Sequence, residues 1–325
     1  MSRLFFPLAL IALLVPSALH AQFGGVEPLT VTISPEYPKP YQTVVVTPGS
    51  TLIELSSSAV TVSANGTVVS RGSGTAPTNV TVGGPGSVTT ITVSVIAEGR
   101  TYNKTLSVRP ADVSLVIEPV TTTHPFYQGG AGVASEGLLR IIALPDLRSS
   151  TGTRLPASSL VYTWRLGDRV LQAESGIGKS YLSATAPVRF RDTRVTLTVT
   201  STDSAIVAQT STVVSPIDPL VRIYRNDPLL GPLFDTALSG AITMSGDEQT
   251  FRAVPYYFPS GSALTWLVNN AESGSDKDVT LRATGSGGGI ANLIARVKQA
   301  TTFAAAEQRL QVKFGEERGL GIFGL

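Results

Sequence analysis

The chain has no cysteine, and only two histidines, two tryptophans and two methionines among its 325 residues. Without cysteine there is no disulfide, no thiol nucleophile, no thiolate metal site and no sulfur for a lipid anchor, so each folded unit must be held by its core alone. His20 falls in the apolar N-terminal segment, which leaves His124 without the partners that a histidine metal site or a catalytic triad requires. It precedes Pro125 and reads as an exposed loop residue. Charge is scarce as well: 25 Lys and Arg against 23 Asp and Glu give a net +2, too little to steer the chain to nucleic acid. Long helical periodicity is also missing. The one candidate, 301–310, reads more simply as a hairpin loop entering the last strand.

What is present begins with a secretion signal. Arg3 supplies the positive start, residues 4–15 are apolar apart from Pro7, and Ala21 closes a cleavage site. Cleavage there removes 21 of the 325 residues and leaves 304 with a net charge of +1, enough for two or three units of about 100 residues. The expected location is periplasmic, cell-surface or secreted, or signal-anchored in the membrane if the segment stays. The apolar tail 315–325 is too short to span a bilayer and reads as an end that frays or adds to a partner's sheet edge.

Between these ends the sequence is Val- and Thr-rich and alternates with period two, with Gly, Pro, Asn and Ser at the breaks. VTVSANGTVV at 60–69, YTWRLGDRVL at 162–171 and LTWLVNNAES at 264–273 align with Val62, Trp164 and Trp266 in register, two steps of 102 residues each. Asn65, Gly167 or Asn269 follows three positions later, and Asn65-Gly66 is a two-residue hairpin signal. The flanks repeat too: Pro40-Tyr41-Gln42 matches Pro125-Phe126-Tyr127-Gln128, and 44–46, 139–143 and 251–254 are matching apolar strands. The reading is all-β: three tandem β-sandwich domains at 24–110, 111–216 and 217–314, behind a signal at 1–21 and before the tail at 315–325. Val62, Trp164 and Trp266 are the expected core, with a smaller core in the first unit, and short proline junctions suggest a stiff rod.

The 162–168 segment resembles the strand of PKD-type immunoglobulin-like domains, and the whole arrangement resembles tandem immunoglobulin-like exported bacterial proteins. The resemblance implies spacers, adhesins or scaffold modules, with other envelope or surface proteins as partners. It transfers no catalytic residue, cofactor or metal.

Four motifs compete with blander readings. AESGIGKS at 173–180 fits a relaxed phosphate-loop pattern, but a strand rather than a helix follows it, so a glycine turn is preferred. Asp276 and Asp278 could join a calcium site but lack further oxygen ligands, and read as solvated turn residues. Arg189, Arg191 and Arg194 surround Phe190 and could hold an anionic glycan, against the reading of a charged loop. Tyr256, Tyr257 and Phe258 cannot all face one core; they either stack on a ligand such as a glycan or pack between domains.

Overall fold

The computed structural model describes residues 27–125, 127–244, 246–284 and 287–315; the N-terminal signal reading and the tail beyond Gly315 lie outside them. The described residues form strands and two single 3-10 turns, with no α-helix.

The first sandwich comprises β1 (Thr30–Ser34), β2 (Thr43–Gly49), β3 (Ala59–Ala64), β4 (Thr67–Ser73), β5 (Thr78–Thr81), β6 (Thr89–Ala97) and β7 (Arg100–Val108). Sheet β1-β2-β5 faces sheet β4-β3-β6-β7. Period-two patterning decides which side chains enter: on β6, Ile91, Val93 and Val95 are fully buried while Thr90, Thr92 and Ser94 point outward. The buried core contains only aliphatic residues, chiefly valine.

The second sandwich repeats the plan with β8 (Asp112–Pro119), β9 (Leu138–Asp146), β10 (Val161–Leu166), β11 (Arg169–Val170), β12 (Gly176–Ile177), β13 (Tyr181–Thr185), β14 (Thr193–Thr200) and β15 (Val207–Val214). Here β13-β9-β8 faces β11-β10-β14-β15, and β12 pairs with β10.

The third contains β16 (Leu220–Asp227), β17 (Gly231–Pro232), β18 (Gly240–Thr243), β19 (Glu248–Tyr256), β20 (Ala263–Val268), β21 (Ala271–Gly274), β22 (Asp278–Arg282), β23 (Gly289–Lys298) and β24 (Ala305–Phe314). Sheet β17-β16-β19-β22 faces β18-β24-β23-β20-β21, and β18 joins β24 in parallel, covering an edge that is open on β7 and β15. The chain is thus three tandem immunoglobulin-like sandwiches.

The 102-residue repeat has a structural counterpart. Val62, Trp164 and Trp266 each stand fourth in the central strand β3, β10 or β20, and pair across the sheet with Val93, Leu197 and Ala295. Both indoles are fully buried, and each Nε1–H donates across the core: Trp164 to the Lys179 carbonyl, Trp266 to the Asp276 carbonyl, both at 2.9 Å. Each carbonyl lies two residues ahead of the strand (β13 or β22) that enters the opposite sheet. One ring therefore fills the core and ties the two sheets together, with its only polar atom satisfied. Val62 in the first sandwich makes no such tie.

The turns after these strands also repeat. Asn65 and Gly66 have φ of 51° and 81°, and Asn269 and Asn270 have 50° and 68°, the positive pair that a tight hairpin matching strand twist demands. Asn65 donates its N–H to the Thr90 carbonyl at 2.8 Å, and its Oδ1 accepts the Thr90 N–H at 2.9 Å. Asn269 does the same with Asn292, at 2.9 Å in both directions. Gly167 keeps the backbone bond, to Arg194 at 2.8 Å, and has no side chain for the second.

Trp164→Ala and Trp266→Ala should each cost their own domain about 3–5 kcal/mol through the cavity they leave, and the matching Phe variants, which lose the indole hydrogen bond, should cost less. Urea unfolding followed by far-ultraviolet circular dichroism checks this, with the fluorescence of the remaining tryptophan as the control that the other domain unfolds as before. Asn65→Ala should cost about 1–2 kcal/mol, combining a positive φ with a lost hydrogen bond, and Asn65→Gly should recover the backbone part.

Candidate functional site

The densest gathering of aromatic and polar side chains lies where the second sandwich meets the third. It starts from a strand that is apolar on both faces. On β19, Phe251 and Ala253 enter the core, while Val254 and Tyr256 point outward and are nevertheless 6% and 3% exposed. With Tyr224 of β16 they form a second apolar cluster on the outside of the sheet. Residues 120–137, the long connection between β8 and β9, cover it.

That connection docks as a strap. Thr122 pairs with the third domain in strand fashion: its N–H donates to the Phe258 carbonyl at 3.2 Å, its carbonyl accepts the Tyr257 N–H at 3.0 Å, and its Oγ1 accepts the Phe258 N–H at 3.3 Å. His124 stacks on Phe234, centroids 4.5 Å apart and planes 7° from parallel, with the edges of Tyr127, Tyr224 and Tyr256 around it. The Tyr127 hydroxyl shares a 2.8 Å hydrogen bond with that of Tyr257, and Tyr224 and Tyr256 share one of 2.7 Å. Gly132 allows the close approach, since a Cβ there would stand 2.5 Å from Ile217 and 2.8 Å from the Tyr257 ring. Further ties are the Ile217 N–H to the Val133 carbonyl at 2.8 Å, the Phe303 N–H to Glu136 Oε2 at 3.0 Å, and an Arg189–Asp218 ion pair at 2.8 Å.

The phenols feel this packing. The Tyr127 hydrogen bond, with burial second, pushes Tyr257 up to about 12. Burial first and the Tyr224 hydrogen bond second push Tyr256 higher still. Both favour the neutral phenol at ordinary pH, so the ties persist there.

These positions settle where the singled-out residues lie. Tyr256 and Phe258 are buried and Tyr257 is tied to Tyr127, so the three rings pack between and within domains and form no exposed stacking platform. His124, expected in an exposed loop, is instead a half-buried plate in the aromatic stack, because Phe234 folds back beneath it. Arg189 and Arg191 remain exposed on one loop and Arg194 at the start of β14: Arg189 lies 4.4 Å from the centre of the 82%-exposed Phe190 ring, and Arg194 donates to Ser211 Oγ at 3.2 Å. The glycine turn at 173–180 runs straight into β13 with Gly178 at φ 72°, and its Lys179 carbonyl is the acceptor for Trp164. Asp278 is held by both arms of Arg252, at 2.6 and 2.5 Å, and by Asn226 at 3.1 Å. Asp276 presents its carbonyl to Trp266. Among the described residues no group of three His, Cys, Asp or Glu side chains could hold a metal ion.

No family model matches the chain, and no curated protein does. Solved structures do. The chain is similar to the three N-terminal domains of the highly immunogenic outer capsid protein of bacteriophage RB49, at 12% identity over 89% of this chain and 98% of that one, with a TM-score of 0.27. It is also similar to Sidekick-1 immunoglobulin domains 1–5, at 10% identity over 91% and 61% with a TM-score of 0.32. The central fibronectin-III array of RIM-binding protein aligns at 10% identity over 88% and 96%, with a TM-score of 0.28. At these values the likenesses carry no function to this chain.

Tyr224 and Phe234 escaped the sequence reading. The signal for them was the run FRAVPYYF at 251–258, apolar at odd and even positions alike, which marks a strand covered on both faces.

Tyr257 has its pKa raised above the ordinary phenol value near 10, so its share of the docking is complete below about pH 10 and is lost as pH rises towards about 12. A tyrosinate absorbance titration should show this group ionising above the ordinary phenol range. In Tyr127→Phe it should return towards the ordinary value, and an unchanged titration would count against the tie.

Proposed function

We propose that the chain is a non-enzymatic, extracytoplasmic structural or adhesive protein, a spacer or assembly component of a cell envelope or appendage. The observation that carries this reading is the strap. Its aromatic side chains, the type a binding site would present, pack between two sandwiches and join them. Two further features support it. Five clefts among the described residues are each lined by at most one carboxylate, while glycoside hydrolysis needs a facing pair. The N-terminal sequence pattern and the 162–168 resemblance to PKD-type strands both fit an exported module.

Glycan binding is the second reading, and one observation favours it: Phe190 stands 82% exposed at φ 63°, with Arg189 stacked on it and Arg191 beside it. A positive φ at an exposed bulky residue is strained, which is more often kept for contact than for packing.

Mild crosslinking of the tagged chain in its own host, followed by mass identification of partners, separates the two. A reproducible set of envelope or appendage proteins is the expected result. Recovery without protein partners, together with glycan-array signals that Phe190→Ala and Arg191→Ala abolish, would replace the structural reading with the second.

A further inference from the structure

The three sandwiches treat the same outer face in three ways. Each has a sheet built on β2, β9 or β19 whose even or odd set of side chains turns away from the core. In the first domain that set on β2 is Thr43, Val45 and Thr47, with Thr30 and Thr32 beside it on β1, a polar surface. In the third it is Val254 and Tyr256, which the strap buries. Ile142 pairs with Tyr181 as Arg252 pairs with Asp278, so Leu144 holds the place of Val254. In the second domain no described residue covers this face. Leu138 (59% exposed), Leu144 (51%), Tyr181 (52%), Val116 (46%) and Val120 (48%) surround the half-buried Ile142 on a sheet face open to water.

From this we infer that the outer face of β8-β9-β13 pairs two copies of the chain side by side and parallel. The arrangement of rows selects both the partner and its direction. Val116, Ile142 and Tyr181 share one cross-strand row, and Glu118, Arg140 and Ser183 share the next. Leu144 stands beyond the apolar row and Leu138 beyond the charged one. One acid and one base thus sit inside an apolar surround, and the face complements itself. A two-fold axis running along the strands between β8 and β9 brings Glu118 of each copy opposite Arg140 of the other, and Val116 opposite Ile142. An axis across the strands through the charged row would set Glu118 against Glu118 and Arg140 against Arg140, which like charges forbid. Within one copy the pair is loose, at 3.7 Å with side chains 55% and 58% exposed, and Arg140 otherwise only rests 5.4 Å from the centre of the Tyr181 ring, so both groups present their charge to a partner. With β8 and β9 roughly 26 to 30 Å long, β13 roughly 17 Å and a spacing of about 4.8 Å, the face offers roughly 350 Å², below the roughly 800 Å² per partner of a standard interface, so the pairing is weak and depends on concentration.

Sedimentation of the full chain at rising concentration should show a monomer–dimer equilibrium. Glu118→Arg and Arg140→Glu should each weaken it about tenfold or more. An equimolar mixture of the two variants should restore the dimer, because every facing pair is then opposite in charge, and misfolded variants could not produce that rescue. The absence of cysteine allows a single dye at Thr51→Cys in the first domain, and parallel pairing predicts strong energy transfer between copies. A wild-type chain that stays monomeric to about millimolar concentration, a mixture that remains monomeric, or a dimer without transfer would each overturn the proposal.

Discussion

Everything in this fold depends on holding two sheets face to face without a covalent tie. The second and third domains meet that constraint with one residue each. A tryptophan on the central strand fills the space between the sheets and spends its only N–H on the carbonyl that leads into a strand of the other sheet. The hydrogen bond specifies as much as it stabilises. A buried indole N–H without a partner would cost about 1–3 kcal/mol, so the loop before β13 or β22 has to deliver a carbonyl to one place. That requirement accounts for the glycine turn at 173–180. Gly178 takes a left-handed conformation there, 3.2 Å from the Ser158 carbonyl at the position a Cβ would occupy, and brings Lys179 over the ring. A segment shaped like a phosphate loop is thus accounted for by the core it closes.

The first domain shows what is lost when that device is absent. Its centre is valine and isoleucine, no indole joins its sheets, and its register rests on alternation and on the Asn65 hairpin. Asparagine suits that corner for two reasons: its side chain tolerates positive φ, and its amide oxygen reaches the backbone of the neighbouring strand in the sheet, β6 or β23. The identical pair of bonds at Asn269 and Asn292 means that this corner, as well as the central strand, is repeated through the chain.

Sandwich architecture, central-strand residues and hairpins were legible in the sequence because each is set by residues close in the chain or by a fixed period. The junction was not. Tyr127 and Tyr257 are 130 positions apart, and the hydrogen bond between them depends on a long connection crossing to the next domain. His124 and Phe234 carry no local pattern that would announce a stack, and a histidine before proline reads as an ordinary loop. The parallel addition of β18 to β24 was equally hidden, since four residues at 240–243 pair with residues seventy positions later. What the sequence did carry was the doubled apolar pattern of 251–258, with prolines at 255 and 259 that made a covered strand look like a loop. Proline is tolerated at 255 because β19 there approaches its end, where fewer ladder bonds are required.

The resemblance between the openings of the first two domains explains why only one of them makes a strap. Tyr41 and Tyr127 occupy matching places in the sequence. The connection that carries Tyr41 runs only from the end of β1 at Ser34 to Thr43, and the ring folds back over Gly84 of its own domain, leaving Tyr41 71% exposed. The connection that carries Tyr127 runs from Pro119 to Leu138, long enough to leave its own domain and lie across the next. The longer loop thus makes an interdomain anchor of a tyrosine that is local in the first domain, and the face it reaches is apolar where the matching face of the first domain is threonine-rich. The second domain also has an apolar outer face, with no described loop to cover it. A short first connection cannot reach that face, so whatever shields it from water has to come from outside the chain's own preceding domain.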